Sequence, residues 1–347
     1  MALALSLDCY YGGLMKKVIV IGGGVAGLSA LNRLVDLGIS VTLIEAGNYP
    51  SHKICGEFFS PECLPILSAW NVEPPKQIKS ISLVTQNHSL SFPLPTAARS
   101  QSHFEFDENL VKRAQIKGAQ ILTNTKVKEI RKNEIILDNE KALPYSDLII
   151  SAGRFFNTSP PHYIGLKTYF KDLNMENDLE MYPLHGGYAG LSPVGKGYFN
   201  FTCLLPLHID HQDKLFKAAP HLQHRLQHGQ MAWKEWMTCR IPAFGMKKTP
   251  IQPNTYFIGD AAGTIPPASG LGLSIAITSG YMCANYVAKN DSLGFRDAWY
   301  HKYKNIFAYG HFLHWLLTKP LAIQSAIRLG KLFPKLPSGL FSKNRII

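Results

Sequence analysis

The first regular pattern in the chain begins at residue 18. Val18-Ile19-Val20-Ile21 is a continuous β-branched run, as expected of a strand buried on both faces of a parallel sheet. Leu28, Leu31, Leu34 and Val35 then recur at helical spacing, Gly38 closes that helix, and Val41 to Ile44 reads as a second buried strand. Further on, "SISLVTQNHSLSFPLP" alternates apolar and polar residues around an Asn-His turn, which predicts paired strands. The block 160–205 carries aromatics and glycines in short strand-like runs. From 291 onward the pattern is helical, with breaks expected at Pro320, Pro334 and Pro337. No internal repeat stands out.

Between the first strand and its helix stands Gly22-x-Gly24-x-x-Gly27, and Glu45 follows the second strand 18 residues after Gly27. Gly22 permits the tight turn, Gly24 lets backbone approach a pyrophosphate, and Gly27 lets helix pack on strand. The helix N-terminus offers unpaired N–H groups to phosphate, and an acid at the strand end can accept from ribose hydroxyls. Strand, turn, helix, strand and acid in that order point to a bound dinucleotide. Either NAD or FAD suits these residues; no second G-x-G-x-x-G follows, which favours FAD.

Composition narrows the class further. The chain has 347 residues, 46% hydrophobic and 17% charged, which suits a globular protein large enough for two domains. Its six cysteines form no C-x-x-C pair, so neither a dithiol centre nor a zinc knuckle is expected, and their sparse use suits a reducing cytoplasm. The formal charge is +12, and no acid occurs from Trp299 to the end, where eight Lys or Arg alternate with Phe, Trp and Leu. Such a tail is either a docked helical region with a solvated basic face or a peripheral contact with an anionic membrane surface. No nucleic-acid partner is expected, and no run of eighteen apolar residues predicts a transmembrane helix. Residues 1–14 read as a disordered extension.

"FIGDAAGTIPPASGLGLSIAITSG" (257–280) resembles the second FAD motif of the p-hydroxybenzoate-hydroxylase-like flavoproteins, a group that includes aromatic monooxygenases and geranylgeranyl reductases. "HKICGEFFSPECLPIL" (52–67), "FEFDENLVKRAQIKGAQILTNTKVKEI" (104–130), "GLKTYF" (165–170) and "GGYAGLSPVGKGYFNFTCLL" (186–205) extend the resemblance over most of the chain. The last two look closest to flavin oxidoreductases found beside type III polyketide synthases. The resemblance implies an α/β fold: a Rossmann-type (GR2-like) FAD-binding domain with an interleaved antiparallel β-sheet substrate domain and a helical C-terminal tail. It assigns 15–75, 99–158 and 245–290 to the FAD domain, 76–98 and 159–244 to the substrate domain, and 291–347 to the tail.

It also implies an FAD site at Gly22, Gly24, Val25, Ala26, Gly27, Glu45, Ala46, Lys53, Val127, Asp260, Gly270, Leu271, Gly272 and Leu273, with Asp260 on the ribityl chain and Lys53 near the pyrophosphate. Cys55 is the catalytic candidate, and Tyr188 and Asn200 are weaker substrate candidates. Two departures stand out. Ala152 replaces an Asp that usually follows "DLIIS", and His103 replaces an Arg before the F-D-x-x-L helix, which leaves NAD(P)H as only a possible transient reductant. The favoured activity is hydroxylation of an aromatic or polyketide-like substrate. Alternatives are alkene reduction on a lipid, as in geranylgeranyl reductases, and flavin binding without turnover. Arg113 reads as a solvated helix residue. His221, His224 and His228 would share a helix face, solvated and not metal-binding. Trp233 and Trp236 do not fit the W-x-W-x-I-P spacing of flavin halogenases.

Overall fold

The fold was obtained as a computed structural model describing residues 16–153, 160–175, 178–233 and 235–343, with side chains described as far as residue 339. The expected extension 1–14, Cys9, Arg154 and Arg345 lie outside these residues. The β-branched runs form a five-stranded, all-parallel sheet in the order Thr255–Phe257, Asp147–Ile150, Val18–Ile21, Val41–Ile44, Gln120–Leu122. The helix Val25–Asp36 follows the first strand, and its Leu28, Leu31 and Leu34 are fully buried between this sheet and the helix Gly272–Ala288. Glycine at 280 sets that helix contact, because a Cβ there would come within 2.9 Å of the Ala30 nitrogen. Ser29 Oγ donates to Ile277 O at 2.7 Å across the same seam.

A second, nine-stranded sheet carries Lys76–Val84 and Ser89–Ser100 beside Pro161–Lys171, Asp178–Leu184, Gly187–Gly195 and Tyr198–Pro206. It is antiparallel except where Asp178–Leu184 runs parallel to Lys76–Val84. The pair Phe58–Phe59 adds a short edge strand beside Ser89–Ser100, so the loop after Lys53 is stitched into this sheet.

The C-terminal helices are Ser292–Thr318, Pro320–Leu332 and Lys335–Lys343. Pro320 starts its helix at the first position, where a missing N–H costs nothing. Pro337 does not break the chain as expected; it sits in the first turn of the last helix for the same reason. Leu317, Ile323 and Ile327 bury against Tyr188, Leu204 and Ile241, so the tail roofs the large sheet. Among the described residues, no helix is long and apolar enough to cross a membrane.

Candidate functional site

The glycine-rich turn has the geometry its spacing predicts. Gly22 has φ +97°, and a Cβ there would lie 2.7 Å from Ala152 N. A Cβ on Gly27 would lie 2.5 Å from Ser151 Oγ. Gly24 differs: a Cβ would meet nothing within 4 Å, and the helix that begins there has no side-chain cap. The turn therefore leaves open space over unpaired N–H groups, which is the arrangement an anion requires. Glu45 braces the turn, with Oε2 accepting from Gly23 N at 2.6 Å and Oε1 from Gly47 N at 2.8 Å. A carboxylate offers about four lone-pair sites, so acceptor capacity remains for ribose hydroxyls. Tyr49 OH donates to Gly23 O at 2.5 Å. Val25 and Ala26 are buried behind the turn and Ala46 is exposed beside it. Val127 is half-buried on a separate three-stranded sheet.

The Asp260 segment arrives at the same strand ends. Gly259 has φ +55°, and a Cβ on it would come within 2.7 Å of Ala26 Cβ. A Cβ on Gly153 would lie 3.0 Å from Asp260 C. Lys247 Nζ ties the two loops together, donating to Gly153 O at 2.9 Å and Asp260 O at 2.6 Å. Asp260 itself is exposed. Gly270 is left-handed at φ +65° and lies against Phe58. Leu271 and Leu273 point into the core, whereas Gly272, the first residue of its helix, is exposed. Backbone, not side chain, is thus presented at this helix start.

Sequence reasoning missed a buried charge cluster between the two sheets. Glu57, at φ +57°, is fully buried; its Oε1 accepts from Lys167 Nζ at 2.7 Å, Tyr169 OH at 2.5 Å and His103 N at 2.9 Å. Lys167, also fully buried, donates in addition to Lys53 O at 2.8 Å. His103 Nδ1 lies 3.0 Å from Asp107 Oδ1. Lys53, the expected pyrophosphate partner, pairs through its Nζ with the buried Asp107 at 2.7 Å. Burial opposes charge on His103, but Asp107 and Cys55 lift its pKa to about 10. Burial raises the half-buried Cys55 thiol, but the charge and hydrogen bond of His103 bring it below the usual thiol range.

Two weaker candidates touch this region. Asn200 Nδ2 holds Cys55 O at 2.9 Å, and Tyr188 OH accepts from Ala268 N at 2.9 Å, in the loop before Gly270. Burial pushes the Tyr188 hydroxyl up, so it stays protonated. Arg113 is not solvated: it bonds Asn32 Oδ1 at 2.9 Å and Asp36 Oδ1 at 2.8 Å and lies over Trp70, locking two helices together. The three histidines do not share a helix face, because their helix ends at Leu226, before His228. Trp233 packs on His52 and Tyr169, while Trp236 packs on Phe201 and Phe216.

With this geometry, the chain resembles known proteins as follows. No protein-family model matches it. A ubiquinone hydroxylase of Neisseria meningitidis is 29% identical over 176 residues, covering 43% of this chain and 38% of the relative, so the match spans well under half of that protein. A menaquinone reductase of Mycolicibacterium smegmatis is 21% identical over 88% of this chain and 86% of the relative. Among solved structures, PqsL of Pseudomonas aeruginosa, an FAD-dependent monooxygenase, superposes with TM-score 0.74 at 14% identity over 89% of this chain and 98% of its own. The flavin-dependent brominase Bmp2 superposes with TM-score 0.70 at 15% identity over 90% and 92%. The fold is therefore that of the FAD-dependent oxidoreductases. The resemblance to the p-hydroxybenzoate-hydroxylase-like group, drawn first from the two glycine motifs, is borne out at the level of fold.

Proposed function

We propose that the chain is an FAD-dependent monooxygenase that hydroxylates a planar aromatic or quinone-type ring. The observation that carries this reading is the meeting of two motifs more than two hundred residues apart: Gly259 lies against Ala26, and Gly153 against Asp260. Together they frame one elongated ligand. FAD, when bound, supplies the redox chemistry and the activation of oxygen. Gly22, Gly24 and Gly27 with the helix start receive its pyrophosphate, and Glu45, with Ala46 alongside, receives its ribose. Asp260 holds the ribityl chain. The uncapped start of the helix at Gly272 would offer its N–H dipoles to the flavin ring, stabilising negative charge there. Tyr188, fixed to Ala268, and Asn200, fixed to Cys55, set the spacing between the large sheet and the flavin loops, where the substrate lies shielded from water.

The Neisseria relative, named as a hydroxylase, supports this reaction, and PqsL, solved with 2-aminobenzoylacetate, supports a small aromatic substrate. Alkene reduction on an isoprenoid lipid is the second reading, favoured by the match to a menaquinone reductase along most of the chain. Anaerobic reduction followed by oxygen separates the two. Hydroxylated product requiring oxygen supports the first; alkene saturation without oxygen overturns it. The tail is proposed to rest on an anionic membrane surface: Leu321 (81% exposed), Leu332 (74%) and Phe333 (60%) project among Lys319, Arg328, Lys331 and Lys335, with no acid nearby in sequence.

A further inference from the structure

Cations outnumber carboxylates around Cys55. Lys53, Lys167 and His103 face Asp107 and Glu57, so three cations meet two carboxylates. The neighbouring groups supply no further anion. Glu105 is matched by Lys196, His52 is kept neutral by burial and by Lys167, and Tyr49 and Tyr169 are held protonated by burial and by the acids beside them. Lys167 and His103 are buried, whereas Lys53 keeps 35% of its side chain exposed; a buried cation is normally neutralised by a partner. The Cys55 sulfur is the group in place: it lies beside His103 and accepts from Glu57 N at 3.4 Å. Two buried acceptors on the same cluster, Glu57 Oε2 and Asn200 Oδ1, have no protein donor and could accept a ligand N–H or O–H.

We propose that Cys55 is a thiolate nucleophile, paired with a His103 imidazolium that Asp107 fixes, and that it captures planar conjugated carbonyl compounds, quinones or enones, as thioethers. The sulfur lone pair forms a bond to the alkene carbon β to the carbonyl. The C=C π pair moves to the carbonyl oxygen, and His103 supplies the proton. In a quinone the proton on the attacked ring carbon then shifts to the second carbonyl oxygen, giving a hydroquinone thioether, and no outside oxidant or reductant is consumed. The cluster is neutral before the step, with thiolate and imidazolium, and neutral after it, with thioether and imidazole. Such a pair lowers a thiol well below its free value. Cys63, Cys203 and Cys283 lack this setting; burial drives the Cys63 thiol up to about 12 and pushes Cys203 and Cys283 up as well.

The test alkylates the full chain with iodoacetamide across roughly pH 5–9 and maps each labelled cysteine by mass spectrometry. Cys55 is expected to reach its half-maximal rate at a lower pH than a free thiol of pKa about 8.5 does. His103→Gln should slow Cys55 labelling at least about tenfold near pH 6.5. Where that variant does not fold, the wild-type profile decides alone. In a second arm, 1,4-naphthoquinone should add the mass of one quinone at Cys55 and none in Cys55→Ser. A Cys55 rate that climbs only through about pH 8.5, or quinone adducts that spare Cys55, overturns the proposal.

Discussion

Replacing Lys167 with Met tests the buried cluster most severely. The substitution keeps most of the length of the side chain, one atom short, and removes its charge. Glu57 Oε1 then loses its donor at 2.7 Å and keeps only the neutral donors Tyr169 OH and His103 N. Both charges of this pair are completely buried, so Glu57 cannot recover solvation without opening the seam between the two sheets. Removing one partner of such a pair costs about 3–5 kcal/mol, whereas removing both costs far less. With a urea slope of about 2–3 kcal/mol/M, the unfolding midpoint of Lys167→Met should fall by roughly 1–2.5 M. The double variant Lys167→Met with Glu57→Gln should recover at least about half of that loss. Urea titration followed by far-UV circular dichroism reads both. A single variant within about 0.5 kcal/mol of wild type, or a double variant no better than the single, would refute the reasoning.

The same cluster makes stability depend on pH. His103 is raised to about 10 in the fold, so its contribution is complete below its unfolded value near 6.5 and is lost as pH rises toward 10. Asp107 is held below the usual carboxylate range by His103 and Lys53 despite its burial, so its contribution is present above about pH 4 and is lost as pH falls further. The stability gap between wild type and His103→Gln should therefore be widest between about pH 4 and 6.5 and narrow toward pH 10, as measured by urea midpoints. For the tail, Leu321→Ser, Leu332→Ser and Phe333→Ser together should reduce flotation with anionic liposomes at least about tenfold while leaving the thermal midpoint nearly unchanged. Equal flotation of variant and wild type contradicts the membrane contact.

The parallel sheet and the glycine-rich turn were legible in the sequence because each depends on local pattern: β-branched runs, helical spacing, and glycines whose positive φ or close contact excludes other residues. The Asp260 loop was legible for a similar reason, since Gly259 and Gly270 both take positive φ. The charge cluster was not legible. Its members come from three separate segments, at 53–57, 103–107 and 167–169, and only folding brings them together. A faint signal existed in Lys167, a lone cation inside the strand "GLKTYF", and in the acid of "KICGE". Read singly, Lys53 and Arg113 looked solvated or ligand-facing; both are spent on carboxylates of neighbouring helices. Pro337 looked like a break because sequence does not distinguish a helix interior from its first turn.

The central claim is that the turn at Gly24 holds the pyrophosphate of FAD. Gly24 has ordinary extended backbone, with φ −70°, and open space where a side chain would go, so Gly24→Asp should fold like wild type while placing a negative charge in the phosphate site. The decisive measurement is calorimetric titration of FAD into the FAD-free protein, alongside the thermal midpoints of both chains. The account predicts saturable one-to-one binding by wild type and a loss of at least about a hundredfold in affinity for Gly24→Asp, with midpoints within about 2 °C of each other. A wild-type chain that takes up no FAD, or a Gly24→Asp chain that binds it equally well, would contradict the account.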